Sequence, residues 1–236
     1  MVVEHWIKMN NTTDIGAIIA AKGTSTRVPD KNIRPFGDTN ILELKINQLL
    51  QLEGLGGVYV NSEDENILDI ADKAGATSIV RDPFYSTSEI PMNEVYKNVV
   101  QEVPHEHIMF IHITSPLTKV STLQSSIDIY RKVVTFKHND YDSLATVTAM
   151  HKFMWYEGKP INYEPDKMPH SYDLPDYYVL NFAVNILPKE MLVERKNIIG
   201  DKIYPFYLDE VESFDIDNPI EFDIAKTIYE SGILDE

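Results

Sequence analysis

Four cations, Lys22, Arg27, Lys31 and Arg34, fall within thirteen residues of each other, and Asp30 is the one acid among them. They sit in a run of small polar residues, Gly23-Thr24-Ser25-Thr26, that directly follows the apolar stretch Ile15 to Ala21. Glycine and short hydroxyl residues let backbone N–H groups come close to an anion, and lysine and arginine add full charge. The chemistry is that of a cradle for a small, highly charged anion. It is not a Walker A loop, since no Gly-Lys-Ser/Thr opens a helix after it. A second feature lies nearly two hundred residues further on. Asp215-Ile216-Asp217 places two carboxylates at i and i+2, on the same side of an extended segment. Two such groups repel unless a cation joins them, and Mg2+ takes one or two protein carboxylates together with phosphate oxygens. The alternative reading of the pair is acidic surface plus a helix cap.

The other titratable groups say less. His105 and His107 flank Glu106 before a strand and read as surface residues. His112 ends an apolar strand beside Thr114 and Ser115, so it either lines a pocket or is a core histidine with its hydrogen bond satisfied. No His/Glu spacing makes a zinc site and no serine sits in a nucleophile elbow. With no cysteine in the chain there is no thiol nucleophile or disulfide framework.

The elements that position these groups follow from periodicity. The apolar run over 15–21 predicts a strand covered on both faces. Residues 41–52 have helical spacing and stop at Gly54; 58–60 is a short strand; Ser62 and Glu65 have capping-box spacing for a helix to about Ala74. Strands are expected over 77–80, 107–113 and 143–149. Helices are expected over 92–101 and from Ser121 with Gln124. Strand–helix alternation from 14 to about 149 implies an α/β, Rossmann-like, doubly wound and mostly parallel sheet. Ligands of such sheets bind beyond the carboxyl ends of the strands, where the first loop, the 81–91 loop and the 114–118 loop would meet. Residues 151–187, rich in Tyr, Pro and Asn, read as a small β-rich lobe or arm, within an inserted segment spanning about 150–200 of a single 1–236 domain. Strands over 203–208 and 213–217 and a helix over 219–229, capped by Asp217 or Asn218, complete the chain.

Composition sets outer limits. A net charge of −16 argues against nucleic acid as partner. No apolar run approaches the roughly 20 residues of a membrane span, and the first residues lack a secretory signal pattern. A cytoplasmic location is the expectation.

Taken in order, these motifs resemble the acylneuraminate cytidylyltransferases, the CMP-sialic acid synthetases. The stretch Ala21-Lys22-Gly23-Thr24-Ser25-Thr26-Arg27-Val28-Pro29-Asp30-Lys31-Asn32 resembles their opening motif. Thr114-Ser115-Pro116-Leu117 resembles their Thr-Ser-Pro-Leu strand end, with His112 at a glutamine position. Phe214-Asp215-Ile216-Asp217 resembles their Asp-Ile-Asp metal motif. Arg81 stands at a nucleotide-proximal arginine, and Asn181 at the Asn of an Asn-Gly pair. The resemblance implies transfer of CMP from CTP to the hydroxyl of an acidic sugar or related acid, with release of pyrophosphate. It implies that Ala21, Lys22, Gly23, Thr24, Ser25, Asn32 and Arg81 bind the nucleotide. His112, Thr114, Ser115 and Asn181 would face the acceptor, and Asp215 and Asp217 would hold Mg2+, with Mn2+ a substitute. Lys31 and Arg27 would stabilise the leaving pyrophosphate, with Asp217 placing the metal at the reacting phosphate. A homodimer formed by the middle lobe is also implied.

The departures fall mostly on the acceptor side. Lys22 replaces an arginine, as does Thr118, and Phe182 replaces the glycine after Asn181. Trp155 and Ser171 stand where basic side chains would hold the acceptor's carboxylate, leaving Lys152, His151 and His170 as nearby substitutes. Two alternatives therefore stay open: the same fold with another nucleotide or a sugar-phosphate acceptor, or a nucleotide-binding relative without catalysis.

Overall fold

The computed structural model describes residues 14–25, 27–135 and 140–233. The N-terminal residues read for a secretion signal lie outside them, as does Thr26. The chain opens with β1 (Ile15–Ala20), buried along nearly its whole length, and a two-residue ribbon of β2 (Pro35–Phe36) and β3 (Thr39–Asn40). Next comes α1 (Ile41–Leu50), whose first turn is capped by the Asn40 side chain accepting from the Glu43 amide and whose buried face includes Ile41, Leu42, Ile46 and Leu49. It is followed by β4 (Leu55–Ser62), longer than the apolar core Val58–Val60 suggests, and α2 (Glu65–Lys73). The cap of α2 is Asp64, whose carboxylate accepts from the amides of Asn66 and Ile67. Ser62, expected to do this with Glu65, instead ends the strand and accepts from the Asp64 amide. A carboxylate two residues closer to the helix is the stronger acceptor for its free N–H groups.

β5 (Thr77–Val80), α3 (Met92–Val99), β6 (His107–Ile111) and α4 (Val120–Val133) continue the alternation. The start of α4 differs from expectation: Lys119 occupies the cap position and no side chain caps it. After β7 (Ser143–Met150) the chain leaves the sheet for a small ribbon of β8 (Trp155–Tyr156) and β9 (Lys159–Pro160) and two 3-10 turns. It returns as β10 (Tyr177–Pro188), then α5 (Lys189–Arg195), β11 (Ile203–Tyr207) and α6 (Pro219–Glu230).

The principal sheet has the order β11-β7-β10-β6-β1-β4-β5. β10 runs antiparallel to both β6 and β7, while every other neighbouring pair is parallel. The tyrosine-rich strand expected in the arm is thus a strand of the central sheet, and the excursion outside it is confined to about 151–176. Its second half, Phe182–Leu187, is apolar but for Asn185, and Ala183 to Leu187 are buried against β6 and β7.

Both faces of the sheet are covered. Ala17 and Ile19 join residues of α1, α2, α4 and α6 in one core, whereas Ile18 joins Val95, Val99 and Leu192 of α3 and α5 in the other. This period-two division of one strand between two cores is what a doubly wound sheet requires. β4 lies on one side of β1 and β6 on the other, so the chain reverses its winding direction there. The loops leaving the carboxyl ends of β1 and β6 open into that crevice.

The expected strand over 213–217 does not form. The segment is irregular and its backbone is held one group at a time, Ile216 donating to the Thr114 carbonyl at 2.9 Å. It feeds α6 through a capping box: Asn218 accepts from the Glu221 amide, and the Glu221 carboxylate accepts from the amides of Asp217 at 2.6 Å and Asn218 at 3.0 Å. Asn218→Ala is expected to lower stability by about 1 kcal/mol, read as a lower urea midpoint with unchanged slope.

Candidate active site

The anion loop leaves β1 at Ala21, which is buried and donates to the Asn61 carbonyl at 3.0 Å. Gly23 follows, packed so tightly that a Cβ there would stand 2.5 Å from the Asp64 carboxylate. Its amide donates to Glu63 Oε1 at 2.9 Å. Ser25 Oγ accepts from the Val28 amide at 3.3 Å, and a turn with Asp30 at φ 53° brings Lys31 round. Asn32 pins the two arms of the loop together, its Nδ2 donating to the Lys22 carbonyl at 2.9 Å and its own carbonyl accepting from the Leu42 amide. Asn32 Oδ1 is buried without a hydrogen-bond partner. Thr24 and Arg27 are exposed.

The loop meets the acidic segment through two contacts. Lys31 Nζ donates to the Ile216 carbonyl at 2.7 Å, and Arg27 pairs with Asp217 Oδ1 at 2.8 Å. Burial holds the Lys31 ammonium below its usual pKa, against the pull of Asp215 and Asp217. The protein packed around Asp215 raises its carboxyl; the hydrogen bond from the Thr114 side chain opposes this and the Asp217 charge adds to it. The two aspartates thus lie within electrostatic reach of each other and of Lys31, although the segment is not the extended strand on which their i, i+2 spacing was read. Among the described residues no three His, Cys, Asp or Glu side chains come together as a metal cluster. Two hard oxygen donors beside a cationic loop fit Mg2+ only as an ion whose shell other oxygen ligands and water complete.

The remaining expected residues divide. Asn181 lines a cavity of about 530 Å³ together with Thr148, Lys152, Phe182, Glu210 and Asp215, so Asp215 joins the acidic segment to an adjacent pocket. Asn181 donates to Thr148 Oγ1 at 2.9 Å and accepts from the Ala183 amide at 3.2 Å, holding a kink in β10 where the register shifts between Leu180 and Asn185. Phe182 occupies that kink at φ 57°, a conformation that favours glycine. Its ring stacks on His112, with centroids 5.7 Å apart and planes at 20°. His112 lies beneath the pocket wall; burial holds its imidazole down to about 4, and its Nε2 has no partner. Ser115 turns inward, 1% exposed, with an unpartnered hydroxyl. Arg81 is 4% exposed, its guanidinium donating to Asn61 Oδ1 at 2.6 Å and the Asn61 carbonyl at 2.7 Å, with Glu63 at 3.6 Å. It supports the wall of the loop from behind.

Sequence reading passed over Glu63, Glu210 and Ser213. Glu63 directly follows β4, at the same sheet end as the other loops, and that position was its available signal. Glu210 and Ser213 reach the cavity through an irregular turn and carried none.

Comparison with known proteins places this arrangement among relatives. Residues 16–234 match the family model described as "Cytidylyltransferase". The chain is 22% identical over 221 residues to post-translational flagellin modification protein B of Campylobacter coli, covering 91% of this chain and 94% of that protein. It is 25% identical over 228 residues to the CMP-N,N'-diacetyllegionaminic acid synthase of Legionella pneumophila, covering 91% and 95%. To N-acylneuraminate cytidylyltransferase A of Danio rerio it is 25% identical over 232 residues, 93% of this chain but 51% of that longer protein. Among solved structures, a CMP:2-keto-3-deoxy-manno-octonic acid synthetase complexed with CTP superposes with a TM-score of 0.70 at 12% identity, over 93% of this chain and 100% of that one.

The buried, neutral His112 has a measurable consequence. Its folded-state pKa lies below the unfolded value of 6.5, so its contribution is intact above that value and is lost as pH falls towards about 4. Acidification from pH 7 to 5 is expected to cost about 2 kcal/mol through this group. Urea unfolding of wild type and His112→Gln at the two pH values checks it: the variant should lose that much less.

Proposed function

Because the chain belongs to the cytidylyltransferase family, we propose that it transfers CMP from CTP to the hydroxyl of an acidic sugar of the 2-keto sugar acid type. The observation that carries this reading is the joining of the cationic loop to the Asp215–Asp217 segment beside a separate cavity. A triphosphate site and an acceptor site thereby share one edge. The acceptor hydroxyl oxygen bonds to the α-phosphorus as its proton is lost to solvent, the bond from that phosphorus to the α–β bridging oxygen breaks, and pyrophosphate leaves. The loop amides, with Lys31, Arg27 and Lys22, would hold the triphosphate and stabilise the charge that grows on the leaving group. Asp215 and Asp217 would hold Mg2+, which polarises the phosphate and lowers the acceptor hydroxyl's pKa. Placement of the two reactants against one another supplies most of the rate.

Arg27 and Lys31 contact Asp217 and the Ile216 carbonyl, which supports a triphosphate held along the same edge as the acidic segment. The cavity supports an acceptor with a carboxylate, Lys152 being the cation at its wall and Thr148, Asn181 and Ser213 the hydroxyl and amide partners. The exposed aromatic side chains of Trp155, Tyr156, Tyr172, Tyr178 and Tyr207 support a homodimer through this side of the molecule. A supply of CTP fits a cytoplasmic location.

Incubation with CTP, Mg2+ and a panel of 2-keto sugar acids should give a CMP adduct by mass spectrometry and stoichiometric pyrophosphate. Lys31→Met should reduce kcat by about 10²–10³. Lys152→Ala should raise KM for the acceptor and leave that for CTP unchanged. Absence of both adduct and pyrophosphate across the panel would count against transfer and in favour of nucleotide binding alone.

A further inference from the structure

Glu63, the residue after β4, receives donors from two other segments of the chain. Its Oε1 accepts from the Gly23 amide of the first loop at 2.9 Å. Its Oε2 accepts from Ser86 Oγ at 2.7 Å and stands 3.6 Å from the Arg81 guanidinium. An amide, a hydroxyl and a guanidinium all present hydrogens, and an ionised carboxylate is the side-chain group that answers them with two acceptor oxygens and a charge. The Glu63 side chain is only 15% exposed, so little water competes for these contacts.

What lies behind Glu63 is firmly held. Arg81 donates to both oxygens of Asn61, and its own amide donates to the Ser62 carbonyl at 2.8 Å. The Asn61 carbonyl also takes the Ala21 amide, so the ends of β1, β4 and β5 are joined at this point. The parts ahead of Glu63 have less of their own to hold them. Ser86 closes the 3-10 turn Pro83–Ser86, none of whose residues is buried. Gly23 opens the part of the first loop that leaves the sheet towards Arg27 and Lys31. Glu63 carries the fixed frame forward to both. The Gly23 amide is thereby engaged within the protein, which leaves the residues after it to meet an anion.

We propose that Glu63 is a positioning residue, its carboxylate fastening the first loop at Gly23 to the 83–86 turn at Ser86, so that the loops after β1, β4 and β5 form one preorganised wall for a nucleoside triphosphate. The effect on the nucleotide rests on the proposed function; the fastening of the two loops does not. A wall formed before the ligand arrives binds it more tightly than one the ligand must order.

Hydrogen exchange on the nucleotide-free protein reads the fastening. In Glu63→Ala the Tyr85 amide, whose own partner is the Asp82 carbonyl at 2.9 Å, should exchange about tenfold faster together with the Gly23 amide, while the amides of β6 keep their rates. Glu63→Gln keeps a hydrogen-bonding group on each arm and should return both amides to within about threefold of wild type. The dissociation constant for CTP with Mg2+, measured by calorimetry, should rise about tenfold in Glu63→Ala and recover in Glu63→Gln. At saturating CTP the kcat of Glu63→Ala should stay within about twofold of wild type, whereas general destabilisation would lower it. Wild-type exchange at Tyr85 in Glu63→Ala, equal acceleration throughout the chain, unchanged CTP binding, or no recovery in Glu63→Gln would each overturn the proposal. Should Glu63→Ala not fold, Ser86→Ala cuts one arm and serves instead: faster Tyr85 exchange with weaker CTP binding supports the proposal, and no change in either refutes it. Weakened CTP binding in Glu63→Ala, in a protein whose wild type releases no pyrophosphate, would refute the proposed transfer and leave the positioning role standing. A wild type that binds no CTP would refute both.

Discussion

The site depends on the contact between the anion loop and the acidic segment. Lys31 reaches the Ile216 carbonyl across 185 residues of sequence, and Arg27 pairs with Asp217. The exposed Arg27–Asp217 pair adds little stability in water, since both partners keep much of their hydration. Lys31 contributes differently, because it is half-buried and fastens a backbone carbonyl between the two aspartates. Without that bond the acidic segment, having no ladder of its own, would be held by Ile216 donating to the Thr114 carbonyl and Asp217 donating to the Glu221 carboxylate.

The sheet makes this contact possible. β1 and β6 are parallel neighbours, and the helices that follow them, α1 and α4, pack in the same core, so the loops after the two strands emerge side by side at one end. The 112–118 turn then receives Ile216 and holds Asp215 through Thr114. On the same side, β10 runs back between β6 and β7 and kinks at Asn181–Phe182 above the end of β6. The left-handed conformation of Phe182 costs on the order of 1 kcal/mol. The stack on His112 and the Asn181 hydrogen bonds hold it in place. That kink forms one wall of the cavity that Asp215 also lines, so Phe182, one of the departures from the resembled family, also shapes that cavity.

Much of the first loop and its setting could be read along the chain. The strand into Ala21, the cationic loop, the alternation through Met150 and the Asp215–Asp217 pair are local patterns, and the family resemblance resting on them agrees with the matched family model. Less of the middle of the chain was legible. The apolar stretch Val179 to Leu187 does not reveal whether it belongs to an arm or to the middle of the sheet, since an antiparallel insertion depends on partners over thirty residues away. Ser62 with Glu65 satisfied a spacing rule, but Asp64 was the stronger acceptor once the backbone turned.

The sequence by itself determined which groups carry charge and which runs are apolar on both sides, because periodicity and side-chain chemistry are properties of neighbouring residues. Tertiary structure alone decided what those groups do. It turned Arg81 inward onto Asn61 and Glu63, closed Ser115 into the core, and placed the uncharged His112 behind Phe182. Burial and partner charges fix the protonation and the freedom of a side chain, and both come from segments distant in sequence.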